Sequence, residues 1–142
     1  MKLDRQVGHI LHVDGADLYY EVSGPKTRPA LLMLHGGLGS IEDLRVFGPA
    51  LAGRFRMIWI DSRGHGRSTL DTDDLTYQRL EADALRVLQH LNVRHAAVLG
   101  FSDGGIVAYR LMASQQIEIT NAGHYRGAMQ TGVDPVWWTP QQ

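Results

Sequence analysis

Ser102 lies in the stretch Gly100-Phe101-Ser102-Asp103-Gly104-Gly105, between the apolar run Ala96-Ala97-Val98-Leu99 and the helix-like run Ile106-Val107-Ala108-Tyr109-Arg110-Leu111-Met112. Strand, sharp turn and helix with a serine at the apex is an arrangement suited to nucleophilic attack by a hydroxyl. So tight a turn drives the serine toward strained backbone angles, and Gly100 and Gly104 remove the Cβ atoms that would clash on either side. The hydroxyl then stands clear of the sheet at a helix N-terminus, where free N–H groups and the helix dipole stabilise negative charge on a reacting oxygen. The plain alternative for Ser102 is a helix N-cap. Serine is a weak nucleophile near neutral pH, so the chemistry also requires a base, and the chain has seven histidines.

Two companion segments give the serine its context. His35-Gly36-Gly37-Leu38-Gly39-Ser40 follows the apolar run Ala30-Leu31-Leu32-Met33-Leu34, and Asp61-Ser62-Arg63-Gly64-His65-Gly66-Arg67-Ser68 follows Met57-Ile58-Trp59-Ile60. In this order and spacing the three segments resemble the α/β-hydrolase superfamily, with its H-G-G loop after the third strand, D-x-R-G-x-G-x-S turn after the fourth and nucleophile elbow after the fifth. The resemblance spans residues 8–114, is partial over 117–124, and is lost in an atypical tail, 125–142. It implies one abridged domain, 1–142, in which the sixth strand, the cap and the acid-bearing seventh strand of the family pattern are missing. It also implies that Ser102 is the nucleophile and that the N–H groups of Gly37 and Asp103 form the oxyanion hole. The plain reading of His35-Gly36-Gly37 is a strand-end turn; no Gly-Lys-Ser/Thr follows to make it a phosphate loop. Ala122-Gly123-His124 matches the turn that carries the family's histidine, which makes His124 the candidate base, against the plain reading of a surface histidine. The catalytic acid stays unassigned: between Ser102 and His124 only Asp103 and Glu118 are acidic, and Asp134 follows in the tail.

The elements that must position these residues are legible from apolar periodicity. Asp14-Gly15 is a hairpin turn between strands 8–13 and 17–22. Strands are expected at 30–34, 56–60 and 96–99. Ser40 and Asp43 form a capping box opening a helix with Leu44, Phe47 and Leu51 on one face, closed by Gly53. The most regular helix, Thr76 to Leu91, has Leu80, Ala84, Val87, Leu88 and Leu91 on its apolar face and Glu81, Asp83, Arg86 and Gln89 mainly opposite. A further helix runs from Gly105 to Ser114. Uniformly apolar strands alternating with amphipathic helices indicate an α/β, three-layer sandwich around a mostly parallel sheet. If Ile117 to Thr120 pairs in parallel beside 96–99 through a right-handed crossover, Ser102 and His124 share one rim. Asp61 and Arg63 suit buried pairing. The tail has no apolar period.

A chain of 142 residues with 44% hydrophobic and 20% charged residues is long enough for one cored domain and ordinary in composition. A net charge of −1 offers no general attraction to nucleic acid or anionic lipid. The absence of cysteine removes disulfides, thiolate catalysis and cysteine zinc sites. His9 and His12, three apart on a strand, point to opposite faces, so no metal site is expected. No secretory leader and no ~18-residue apolar span are visible, so a cytoplasmic location is expected. The family resemblance implies a serine-dependent, esterase-like hydrolase acting on a small molecule without cofactor. The competing expectation is an inactive fragment, or one part of a split assembly. Asp103, beside the nucleophile, would suit a cationic substrate group, its plainer reading being a solvated carboxylate. An apolar sheet edge left beside the nucleophile strand would favour a homodimer.

Overall fold

Asp14 and Gly15 hold positive φ values of 44° and 86°, the backbone of a two-residue hairpin turn whose twist matches its strands. They join β1 (Val7–Val13) to β2 (Ala16–Ser23). The structure, a computed structural model, describes residues 7–71, 74–125 and 136–138. Beyond the hairpin come β3 (Ala30–Leu34), a 3-10 helix (Ile41–Phe47), α1 (Gly48–Leu51) and β4 (Arg56–Ile60). These are followed by α2 (Tyr77–His90), β5 (His95–Phe101), α3 (Asp103–Ser114), β6 (Glu118–Tyr125) and β7 (Val136–Trp138). The strands form one seven-stranded sheet in the order β1-β2-β4-β3-β5-β6-β7. Its centre, β4-β3-β5-β6, is parallel, and the outer pairings β1·β2, β2·β4 and β6·β7 are antiparallel.

The central strands are apolar throughout because both faces of the sheet are covered. Leu32, Leu34, Ile58, Ile60 and Val98 pack with Ala84, Val87, Leu88, Val107 and Leu111 of α2 and α3. Their sequence neighbours Leu31, Met33, Met57, Trp59, Ala97 and Leu99 face the other way, onto Ile41, Leu44, Phe47 and Leu51. This is the expected three-layer α/β sandwich. No helix among the described residues is long and apolar enough to cross a membrane.

Several elements differ from the sequence expectation in instructive ways. The capping box forms, with Ser40 Oγ accepting from Glu42 N–H and Asp43 Oδ2 accepting from Ser40 N–H. The segment it opens is a 3-10 helix that passes into a one-turn α-helix at Gly48-Pro49, where proline has no N–H for a continuing helix. The polar face of α2 is partly inside: Glu81 and Asp83 are buried. Arg63, 1% exposed, explains Asp83 by donating from Nε and Nη2 to its two carboxylate oxygens, each at 2.9 Å. Arg110 Nε donates to Glu81 at 2.7 Å. Periodicity alone reads a carboxylate as solvent-facing and does not see a distant arginine. Asp61 and Arg63 are both buried but not paired with each other; Asp61 instead accepts from the N–H groups of Ile41 and Arg67. The edge beside β5, expected to be open, is occupied by β6 and then by the three residues of β7.

Candidate functional site

Ser102 separates β5 from α3 with φ 53° and ψ −113°, a backbone state that side chains rarely occupy. Its hydroxyl makes no capping hydrogen bond, so the N-cap reading does not hold. The main chain closes the turn instead, the Ser102 carbonyl accepting from Gly105 N–H at 2.9 Å and Ile106 N–H at 3.2 Å. Ser102 itself is exposed. The glycines behave as the tight turn demands. A Cβ on Gly100 would run into the Gly104 backbone, and one on Gly104 into the carbonyls of Leu34 and His35. The start of α3 therefore lies directly against the end of β3.

That contact brings the loop after β3 to the elbow. A Cβ on Gly36 would stand 2.9 Å from the Phe101 ring, and one on Gly37 would collide with the Asp103 carboxylate. Gly37 is exposed beside the turn, and Leu38 next to it is fully exposed with φ 60°. Asp103, first residue of α3, has an N–H with no intrahelical acceptor. Its carboxylate is not simply solvated: Oδ1 accepts from the Tyr77 hydroxyl at 2.8 Å. That hydrogen bond, with the negative charge beside it, pushes the Tyr77 phenol pKa up. The cationic-substrate reading of Asp103 thus starts from a carboxylate with one oxygen already engaged.

His124 is reached by the topology that the parallel-crossover argument anticipated. β6 runs parallel to β5 with His95 opposite Glu118, Gly100 opposite His124 and Phe101 opposite Tyr125. The strand continues through His124 instead of ending before it, so the histidine occupies a strand position and not a turn. Its backbone is level with Gly100, two residues before Ser102, on the same rim. Glu118 lies six residues earlier in the same strand, about 20 Å from His124 at ~3.3 Å per residue, and therefore at the opposite rim. Asp134 lies outside the described residues. His9 stacks on Tyr20 and His12 bonds Asp17, away from the elbow and apart from each other.

Two residues that join the site were not read as functional from the sequence. Tyr77 opens α2, and nothing in its neighbourhood signals a bond to Asp103. His35 does carry a signal, as a histidine wedged between an apolar strand and two glycines. It is 3% exposed, and its burial lowers its pKa.

Comparison with known proteins agrees with the geometry. The family described as alpha/beta hydrolase fold matches residues 29–121. A proline iminopeptidase of Pestalotiopsis fici is 31% identical over 130 residues, covering 88% of this chain and 43% of its own. A bifunctional esterase/perhydrolase of Acinetobacter calcoaceticus is 33% identical over 103 residues, covering 70% of this chain and 36% of its own. The crystal structure of a hydrolase from Pseudomonas aeruginosa PA01 superposes with a TM-score of 0.76 at 34% identity, over 81% of this chain and 44% of that one. The chain thus spans about two fifths of the length of these relatives. The match runs through all three glycine-rich segments and ends at residue 121, before His124, and the chain belongs to the alpha/beta hydrolase fold family.

Proposed function

We propose that the chain is a serine-dependent hydrolase that cleaves an ester or related acyl bond through an acyl-enzyme on Ser102. The observation that carries this reading is the state of Ser102: exposed, strained, and free of the capping bond that would give its hydroxyl a structural use. In this mechanism Ser102 Oγ attacks the carbonyl carbon while its proton passes to His124. The N–H groups of Gly37 and Asp103 stabilise the oxyanion, and collapse of the tetrahedral adduct returns the proton to the leaving alcohol. Water then repeats the sequence on the acyl-enzyme, releasing the acid and restoring the serine. The backbone register, with His124 opposite Gly100 on a parallel neighbour, supports this pairing. No cofactor is required.

No acid is assigned to orient His124. Losing that orientation costs about four orders of magnitude in a complete triad but leaves the contribution of the oxyanion hole and of binding. The proposal is therefore a slow hydrolase, most active on substrates with good leaving groups. The names of the relatives, an iminopeptidase and an esterase/perhydrolase, denote acyl chemistry and support this reading. The test is release of p-nitrophenol from p-nitrophenyl acetate by the folded chain. Turnover above the buffer rate that is lost in both Ser102→Ala and His124→Ala is expected, with Asp134→Asn close to wild type. Equal rates for the wild type and Ser102→Ala would leave the non-catalytic reading. A large loss in Asp134→Asn would identify an acid drawn from the tail.

A further inference from the structure

His35 is held from both sides of its ring. Nδ1 is 2.7 Å from the carbonyl oxygen of Gly36, and Nε2 is 2.8 Å from the backbone nitrogen of Ser62. A carbonyl only accepts and a backbone N–H only donates, so the protonation pattern is forced. Nδ1 carries the proton and donates to Gly36, while Nε2 is bare and accepts from Ser62. Neither the other tautomer nor the imidazolium satisfies both partners. We propose that His35 is a positioning residue for this site: as the Nδ1–H tautomer it ties the Gly36-Gly37 backbone to the turn after β4 and so holds the Gly37 N–H beside the Ser102 elbow. Its purpose rests on the reading of Gly37 given above as an oxyanion donor, whereas the latch itself rests on the two hydrogen bonds.

The surroundings set what acid does to the latch. The ring centroid of His65 is 5.3 Å from that of His35, and Asp61 on the loop after β4 and Asp43 on the 3-10 helix also act on its charge. Ser62, Arg63 and Asp83 line the same small cleft. Burial is the largest influence and favours the neutral ring, with His65 acting in the same direction; the hydrogen bond to Gly36 and then the two aspartates oppose it without reversing it. The latch therefore persists as pH falls through the ordinary histidine value of 6.5 and opens only in more acid solution. The unfolded chain takes up its proton first. The stability that neutral His35 contributes is thus complete above 6.5 and declines as pH falls below it toward the folded value.

The experiment uses the full chain at neutral pH. Nitrogen-15 NMR of the imidazoles should show His35 as the Nδ1–H tautomer. Amide exchange at Ser62 should accelerate about tenfold or more in His35→Phe, which keeps the volume and removes both polar atoms. Gly37 should also exchange faster, while the core amides of Leu32 and Ile58 stay protected. Gln offers both a donor and an acceptor, so His35→Gln should recover most of the protection. Phosphonylation of Ser102 by a fluorophosphonate should slow about tenfold in His35→Phe and recover in His35→Gln. An Nε2–H tautomer or an imidazolium at pH 7 overturns the latch, and needs no variant to fold. Unchanged Ser62 protection in His35→Phe overturns it as well. Lost protection with an unchanged phosphonylation rate overturns the positioning role. Failure of wild-type Ser102 to react at all, with the tautomer and protection as described, overturns the functional reading and not the latch.

Discussion

Ser102 and the glycines around it have different claims on the backbone. Ser102 sits at φ 53° although a side chain disfavours it, a strain of order 1–3 kcal/mol that surrounding structure must impose. The imposing contacts are those of Gly100 and Gly104, each packed where a Cβ would meet main chain. Gly104→Ala should therefore lower stability by about 3 kcal/mol, at the upper end of overpacking costs, a fall of roughly 6–12 °C in melting temperature for a chain of this size. Gly53 is the contrasting case, because nothing lies within 4 Å of a Cβ built there. Gly53→Ala should leave the melting temperature unchanged or raise it slightly, since it reduces the freedom of the unfolded chain. Equal losses at the two positions would show that the elbow is not held by these contacts.

At the scale of elements, the site depends on how α2 and the hairpin are braced against the loop after β4, and Arg63 does this from inside. Besides its paired bonds to Asp83 of α2, its Nη1 donates to Asp71 Oδ2 and the Asp14 carbonyl, and Nη2 donates to the Val13 carbonyl at 2.8 Å. The Asp83 hydrogen bonds raise its pKa further, and it stays a cation throughout. Removing one partner of a buried pair strands the other charge, so Arg63→Met should cost about 3–5 kcal/mol, read by urea unfolding. Arg63→Met with Asp83→Leu should recover part of that loss. A double variant no better than the single would contradict pairing as the source of the cost. The central strands were legible because they are apolar on both faces, and β3 and β4 begin and end where the runs do. The arginine brace was not, because Asp83 and the Val13 carbonyl lie 20 and 50 residues away in sequence, and the nearer Asp71 stands in an irregular segment without periodicity. The continuation of β6 through His124 was not legible either. Ala122-Gly123-His124 reads locally as a turn, and parallel pairing with Val98, Leu99 and Gly100 overrides it.

For the whole molecule, the family was legible because three glycine-rich turns each follow an apolar strand, and the sheet order then brings two of them together. β3 and β5 are neighbours, so the loop after one meets the elbow after the other. β6 completes the same rim through the α3 crossover, which is how a chain covering 36–44% of the relatives named above brings the His124 backbone opposite Gly100. The acid was not assigned from the sequence because neither Asp103 nor Glu118, the acidic residues between Ser102 and His124, matches the strand-end position of the family pattern, and Glu118 lies at the far rim. The proposed chemistry requires an activated hydroxyl at Ser102. The most direct measurement is intact-mass and peptide-mapping mass spectrometry after incubation of the folded chain with a fluorophosphonate. One phosphonyl adduct mapping to Ser102, absent from Ser102→Ala and from protein unfolded in urea, is the expected result. Folded wild-type protein that carries no adduct, or that is labelled equally in Ser102→Ala, would contradict it.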